Sequence, residues 1–126
     1  MQFKTEDLRR QWSEADLDPR LRDLVEFVDL DLRRTEEREA VVTSLIRTDN
    51  PSSVHAYGRG ADIRTRDWPA GLPEGLAHKI NVLFVYDPER PEKQCALVHN
   101  VGQGTHLHLQ VHPRSAWLKS TDEVVG

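Results

Sequence analysis

A chain of 126 residues has room for one domain with a modest core and not for two. Hydrophobic residues make up 37% of it and charged residues 30%, with a formal net charge of -4; that suits a globular domain with a well-solvated surface and argues against nucleic acid or an anionic membrane as its main partner. No apolar run approaches the roughly 20 residues needed to span a bilayer, so membrane insertion is not expected. The N-terminal Met-Gln-Phe-Lys-Thr-Glu-Asp lacks the basic, apolar and small-residue regions of a signal peptide. Synthesis in the cytoplasm follows as the expectation, with a non-Sec route for any work outside. A lone Cys95 leaves no internal disulfide and reads as a small buried apolar residue.

In chain order, Phe3, Leu8 and Trp12 are spaced so that a short helix within residues 1–16 lays one apolar edge on the core. Asp18-Pro19 reads as a helix start, with Asp18 as cap and Pro19 in the first turn. Leu21, Leu24, Val25, Val28 and Leu32 then predict an amphipathic helix over 19–34. Its charged remainder (Arg22, Asp23, Glu26, Asp29, Arg33 and Arg34) is expected to be a solvated face. Residues 40–47, rich in β-branched side chains, read as a strand, and Thr48-Asp49-Asn50-Pro51-Ser52 as the turn that ends it. An irregular loop follows, entering a second strand around Ala61–Arg64, with Gly58 and Gly60 letting the backbone turn sharply beside a ligand.

Asp67-Trp68-Pro69-Ala70-Gly71 is a further loop. Leu72 to about Phe84 reads as a second amphipathic helix with Leu76, Ile80, Leu83 and Phe84 inward, and 87–93 as a charged surface loop. Residues 94–99 and 105–111 predict a hairpin joined by Asn100-Val101-Gly102-Gln103-Gly104. Trp117 and Leu118 are expected to pin the tail to the core. The organisation is thus one domain over 1–126: N-terminal helices in 1–35, a core over about 40–112 and a tail from 113 to 126.

Two segments carry the chemistry. In the last strand Thr105, Leu107, Leu109 and Val111 point to one side, and His106, His108, Gln110 and His112 to the other. The apolar set should cover the core and the histidine set line an open face; unremarkable surface polarity would satisfy the same alternation. In the loop, His55 and Asp62 stand seven positions apart around Gly58 and Gly60. Zinc favours nitrogen and oxygen ligands in a tetrahedral array, and a catalytic site leaves the fourth position to water. His55, Asp62 and His108 would supply three ligands and one negative charge.

Ser53-x-His55-x-x-Gly58-x-x-Ala61-Asp62, followed by His106-Leu107-His108, resembles the signature of the zinc D-Ala-D-Ala peptidases. The wider group joins those enzymes to lysostaphin-type endopeptidases and the Hedgehog signalling domain. The resemblance covers about residues 40–112 and implies an α+β fold, a small antiparallel sheet flanked by helices. It implies zinc held by His55, Asp62 and His108, with His106 assisting proton transfer. It also makes Arg47, at the end of Thr43-Ser44-Leu45-Ile46-Arg47, the group that hydrogen-bonds a substrate carbonyl or oxyanion, a task suited to a fixed cationic fork. Ser53 would orient the loop or a substrate carboxylate. Tyr57 and Trp68, in loops, are candidates to border the cleft and contact substrate; His99 and Gln110 are candidates for supporting the ligands from behind.

The pattern departs in two places. Gly60 stands where the signature has alanine, an exchange expected to be sterically mild. Thr105 stands where many relatives carry the acidic general base, so the base would be His106, His99 or His112, or absent. The resemblance therefore implies a zinc peptidase acting on peptidoglycan peptides at or near a D-amino acid. Its alternative is a non-catalytic zinc-binding interaction module of the same fold.

Overall fold

The computed structural model of the protein describes residues 1–47, 51–100 and 104–117. The centre of the turn expected at 48–52, the hairpin connection at 101–103 and the anchor expected at Leu118 lie outside the described residues. The first helix, α1 (Glu6–Glu14), starts later than the apolar spacing suggested. Thr5 caps it by accepting a hydrogen bond from the Leu8 amide at 3.1 Å, and Gln2–Phe3 before it form a short strand, β1. Two residues are too few to show any period in a sequence, which is why this strand was not legible.

In α2 (Pro19–Glu36) the expected start is present: Asp18 accepts from the Arg20 amide at 2.9 Å and Pro19 occupies the first turn. Leu21, Leu24, Val25, Val28 and Leu32 are fully buried. The charged remainder is not all solvated. Arg22 reaches back to α1, donating to the Trp12 carbonyl at 2.6 Å and the Ala15 carbonyl at 3.2 Å, with its guanidinium over the Trp12 ring. Those carbonyls belong to the end of α1, where a cation also complements the helix dipole. Asp29 accepts from the Ala40 amide and pairs with the N-terminal ammonium.

Four further strands, β2 (Val41–Ser44), β3 (Gly60–Arg64), β5 (Ala96–Asn100) and β6 (Thr105–Gln110), join β1 in a sheet of order β1-β2-β3-β6-β5. All neighbours pair antiparallel except β1 and β2, which are parallel. The architecture is α+β as expected, but the sheet is mixed rather than wholly antiparallel. Helix α3 (Leu72–Leu83) ends one residue early because Phe84 is extended; Phe84–Val85 form β4, which pairs with β7 (Ala116–Trp117). Trp117 packs against Phe27 and Phe84, so it pins the chain as anticipated.

The register sorts side chains onto two faces. Ala61 and Ile63 of β3 face Leu109 and Leu107 of β6, and join the core formed with the apolar sides of α2 and α3. Gly60, Asp62 and Arg64 fall on the opposite face, paired with Gln110, His108 and His106. One side chain locks α3 to the sheet. Asn81 donates to the Ala96 carbonyl at 2.9 Å and accepts from the Cys95 and Ala96 amides at 3.0 and 2.9 Å. Cys95 itself is fully buried and its thiol is pushed up to about 12 by burial, against a small opposing hydrogen bond from Ser115. It is inert packing, as its sequence context suggested. Replacing Asn81 with Ala strands two backbone amides and a carbonyl, and should cost about 2 kcal/mol of stability in urea unfolding without changing metal uptake by the folded fraction.

Candidate metal centre

The site is built where β2 leaves the sheet. The ladder shifts register between Val42 and Ser44, and pairing stops at Ser44 rather than continuing to residue 47 as the β-branched run suggested. Leu45 stays in the core, while its carbonyl oxygen, released from sheet pairing, accepts a hydrogen bond from His55 Nδ1 at 2.6 Å. The loop expected to be irregular contains one 3₁₀ turn, Val54–Tyr57. Ser53 caps it by accepting from the His55 amide at 3.2 Å, and Gly58 ends it in the left-handed region at φ 68°. Ser53 thus orients the loop. A side chain at Gly58 would also strike the Asp16 carbonyl oxygen, 2.7 Å from its ideal Cβ position.

His55, Asp62 and His108 come together as buried residues, each offering one ligand atom within 4.8 Å of the others. His55 Nε2 lies 3.4 Å from one carboxylate oxygen of Asp62, and His108 Nδ1 lies 2.9 Å from the other. The outer ring nitrogens are already committed. His55 Nδ1–H donates to Leu45. The Gln110 side-chain amide donates to the Gln94 carbonyl at 2.8 Å, which turns its oxygen toward His108 Nε2 at 3.2 Å. A neutral imidazole carries one N–H. With that proton on the outer nitrogen, each inner nitrogen presents a lone pair to the carboxylate, whereas a ring protonated on both nitrogens donates to Asp62 across the 2.9 Å His108 contact. His55 Nε2 is accordingly a buried polar atom with no hydrogen-bond partner, a condition worth about 1–3 kcal/mol of destabilisation. Two lone pairs and a carboxylate facing one another call for positive charge between them, which protons or a metal ion can supply. Outer nitrogens held by a carbonyl or amide oxygen are also the usual arrangement of metal-binding histidines. The group can hold a metal ion.

Burial would raise the Asp62 carboxyl; hydrogen bonds from His108 and His55, formed when those rings carry inner protons, and the accompanying positive charge outweigh it and hold it well below the usual carboxylate range. Asp62 is therefore an anion on a central strand. His106 Nε2 also approaches it, at 3.4 Å, from the half-exposed side. His99 stacks on the His108 ring, 5.0 Å between centroids and 8° between planes. Burial first, then the neighbouring His108 and His106, lower the pKa of His99 and keep it neutral.

Other expected residues are placed differently. Arg47 is exposed and lines a cleft of about 500 Å³ that also contacts Asp62 and His106. Tyr57, 59% exposed, lies under the Arg59 guanidinium and borders a separate recess beside Leu17 and Pro19. Trp68 packs partly against the core and borders a recess with Arg38 and Val41. Neither lines the cleft beside Asp62. His112 lies beyond β6, where its Nδ1 accepts from the Arg114 amide at 3.2 Å; His78 is exposed on α3. Arg64, which sequence reasoning did not single out, lines the cleft too; strand alternation from Asp62 was the signal that could have found it.

Gly60 corrects one expectation. A Cβ there would sit 2.6 Å from Val54 Cγ2 and 3.2 Å from both the His55 ring and the His55 amide nitrogen. Exchange with alanine is therefore not mild in this chain, because β-branched Val54 has little rotamer freedom with which to retreat. No family model, no curated protein and no solved structure matches the chain.

Gly60→Ala should weaken metal binding at least tenfold in a competition titration with a chromogenic chelator. Gly75→Ala, at a helical position with open space around it, should leave metal affinity unchanged and raise stability by about 0.5–1 kcal/mol.

Proposed function

We propose that the protein is a zinc-dependent peptidase that hydrolyses cell-wall (peptidoglycan) peptides at or near a D-amino acid. The observation that carries this reading is the convergence of His55 Nε2, the Asp62 carboxylate and His108 Nδ1, with both outer ring nitrogens already tied. The motif order, His-Asp-His with the last histidine in His-x-His, supplies the substrate class through its resemblance to the zinc D-Ala-D-Ala peptidases.

The donor set suits zinc: two imidazoles and one carboxylate, with the single thiol, Cys95, buried and not part of the group. Zinc–ligand bonds of about 2.0–2.1 Å in a tetrahedron put ligand atoms about 3.3 Å apart. His55 and His108 lie 3.4 and 2.9 Å from different oxygens of Asp62, and the three ligand atoms lie within 4.8 Å of one another, so the side chains would have to close on a common centre. With one carboxylate among its ligands a zinc ion keeps a net positive charge, and it supplies a Lewis acid that acidifies water and polarises a carbonyl.

The chain's own residues do the rest. His106 Nε2, on the half-exposed side of Asp62, takes a proton from the attacking water and returns it to the leaving amine. Arg47, on the cleft wall, donates hydrogen bonds to the carbonyl oxygen as charge develops there. Gln110 holds the His108 ring, and the Leu45 carbonyl holds the His55 ring.

A second reading, a non-catalytic zinc-binding module, is favoured by Thr105. The position three before the last ligand carries an exposed hydroxyl, and Asp62 is the one carboxylate lining the cleft among the described residues. The two readings part on turnover, since both bind metal. Mass spectrometry of purified peptidoglycan fragments, incubated with zinc-loaded protein and with a chelator-treated control, should yield new products that vanish with the chelator. Varied fragments left intact by protein carrying one zinc per chain would transfer the assignment to the binding module.

Single substitutions His55→Ala, Asp62→Ala and His108→Ala should each strip zinc from the folded protein; full occupancy in a triple variant would show the ligand set to be wrong. His106→Ala should keep zinc and slow turnover by about 10²–10⁴-fold, the usual worth of general acid–base help.

A further inference from the structure

The cleft beside Asp62 has a charge that nothing above explains. Lys4, Arg47, Arg64 and Arg66 line it against the single carboxylate of Asp62, in a chain whose net charge is -4. Elsewhere Arg20, Arg33, Arg90 and Arg114 meet carboxylates at 2.8–3.1 Å, while exposed Arg34 stands alone among the described residues, on α2 rather than in a cluster. Among the described residues none of the four cleft cations has an acidic partner. Four like charges gathered on one concave wall repel one another, and an anionic ligand relieves that repulsion. The volume, about 500 Å³, lies within the range of small-ligand pockets.

The sheet fixes where these cations stand relative to the metal group. Arg64 shares the face of Asp62 two residues along β3, a separation of about 7 Å. It lies directly across the ladder from His106, which puts the two Cβ atoms about 5 Å apart. Lys4 follows β1, its amide bonded to the Val42 carbonyl at 2.9 Å, and so reaches the cleft from the sheet's edge. Arg66 stands in the turn two residues past β3 and also lines the cleft; it and Arg64 border as well the neighbouring recess of Glu37, Glu39 and Asp67, with no ion pair to any of them among the described residues. Seven ångströms is about two peptide residues of extended chain.

We infer that Lys4, Arg64 and Arg66 form a carboxylate-binding subsite adjoining the His55–Asp62–His108 group. It takes the free terminal carboxylate of a peptide whose reacting carbonyl lies one or two residues away. Arg47 remains with the carbonyl oxygen, and the three outer cations read the charge beyond it. The inference rests on the peptidase reading for its substrate, while the anion site itself can be measured without turnover. Arginine forks hold carboxylates bidentately, so the loss of one should be felt strongly.

Two synthetic peptides test it, each ending in D-Ala-D-Ala, one with the free terminal carboxylate and the other with a terminal amide. Calorimetric titration of zinc-loaded protein made inactive by His106→Ala should show the acid binding at least tenfold more tightly than the amide. The preference should shrink with added salt. Arg64→Gln and Arg66→Gln, each checked for unchanged melting temperature and zinc content, should erase most of the preference by weakening the acid alone. In steady-state assays of the otherwise wild-type chain the same variants should raise KM for the acid and leave the amide unchanged. Equal binding of acid and amide, or an acid preference that survives both substitutions, would overturn the subsite. If the acid binds with the expected preference and neither peptide is cut by the wild-type chain, the subsite stands and the peptidase reading falls.

Discussion

Everything at the centre depends on a buried carboxylate placed between two imidazole lone pairs. Asp62 sits on β3, the middle strand of five, with His108 directly opposite on β6. A charge there is expensive unless it is paired. The surrounding hydrogen bonds do not supply positive charge themselves; they hold the outer ring protons away from the carboxylate, so that charge must come from added inner protons or from a metal ion. With His55 Nδ1 tied to a backbone carbonyl and His108 Nε2 tied to Gln110, neither ring can rotate to bring its N–H inward without breaking an existing bond. The pocket is thereby set for a cation, and its shape is fixed by groups that do not touch that cation.

That constraint explains features that look unrelated along the chain. Strand β2 stops at Ser44 so that the Leu45 carbonyl is free to receive His55. The 3₁₀ turn needs Gly58 because its backbone runs against the start of α2: the Asp18 amide donates to the Gly58 carbonyl at 2.9 Å. The same Asp18 caps α2, so one residue couples the N-terminal helix to the ligand loop. On the far side of the turn, the Val111 amide donates to the Arg59 carbonyl at 3.0 Å, tying the loop to the strand that carries His108. Gly60 then lets Val54 and the His55 ring close over β3. The N-terminal third of the chain, which holds no ligand, is thus what braces the loop from behind.

Much of this was legible because it depends on periodicity. The alternation in Thr105–Val111 placed His106, His108 and Gln110 on one face and Leu107 and Leu109 in the core, and the apolar spacing in α2 located five fully buried side chains. Asp18-Pro19 marked a helix start because cap and φ restriction are local properties. What was hidden is non-local or carried by the backbone. The two-residue strands β1, β4 and β7 have no period to detect. The Leu45 carbonyl has no side-chain signature, and the crowding at Gly60 exists only once Val54 is folded onto it. Arg22 looked like a solvated charge because its partners are carbonyls at the end of another helix. Tyr57 and Trp68 were drawn toward the cleft by loop proximity in sequence, and the loops carry them to other recesses.

On the proposed peptidase reading, the absence of an acid at Thr105 narrows which group would move protons. Hydrogen-bond accounting narrows it further. His55 and His108 are buried, and each has its outer nitrogen committed and its inner one facing Asp62. His99 is stacked on the His108 ring, and neither of its nitrogens comes within 4 Å of Asp62 as those of His55, His106 and His108 do. His112 spends its Nδ1 on the Arg114 amide, past the end of the strand. His106 alone among these combines a nitrogen near Asp62 with a half-exposed ring on the cleft wall. Exchange of a proton with solvent requires that exposure, and assistance at the metal group requires that proximity. A cleft furnished with imidazoles and guanidinium groups, rather than a second carboxylate, also keeps its positive field intact, and on the proposed reading that field would favour an anionic peptide over a neutral one. In this arrangement replacing Thr105 by an acid would not restore a base beside His108, since strand alternation turns that position away from it.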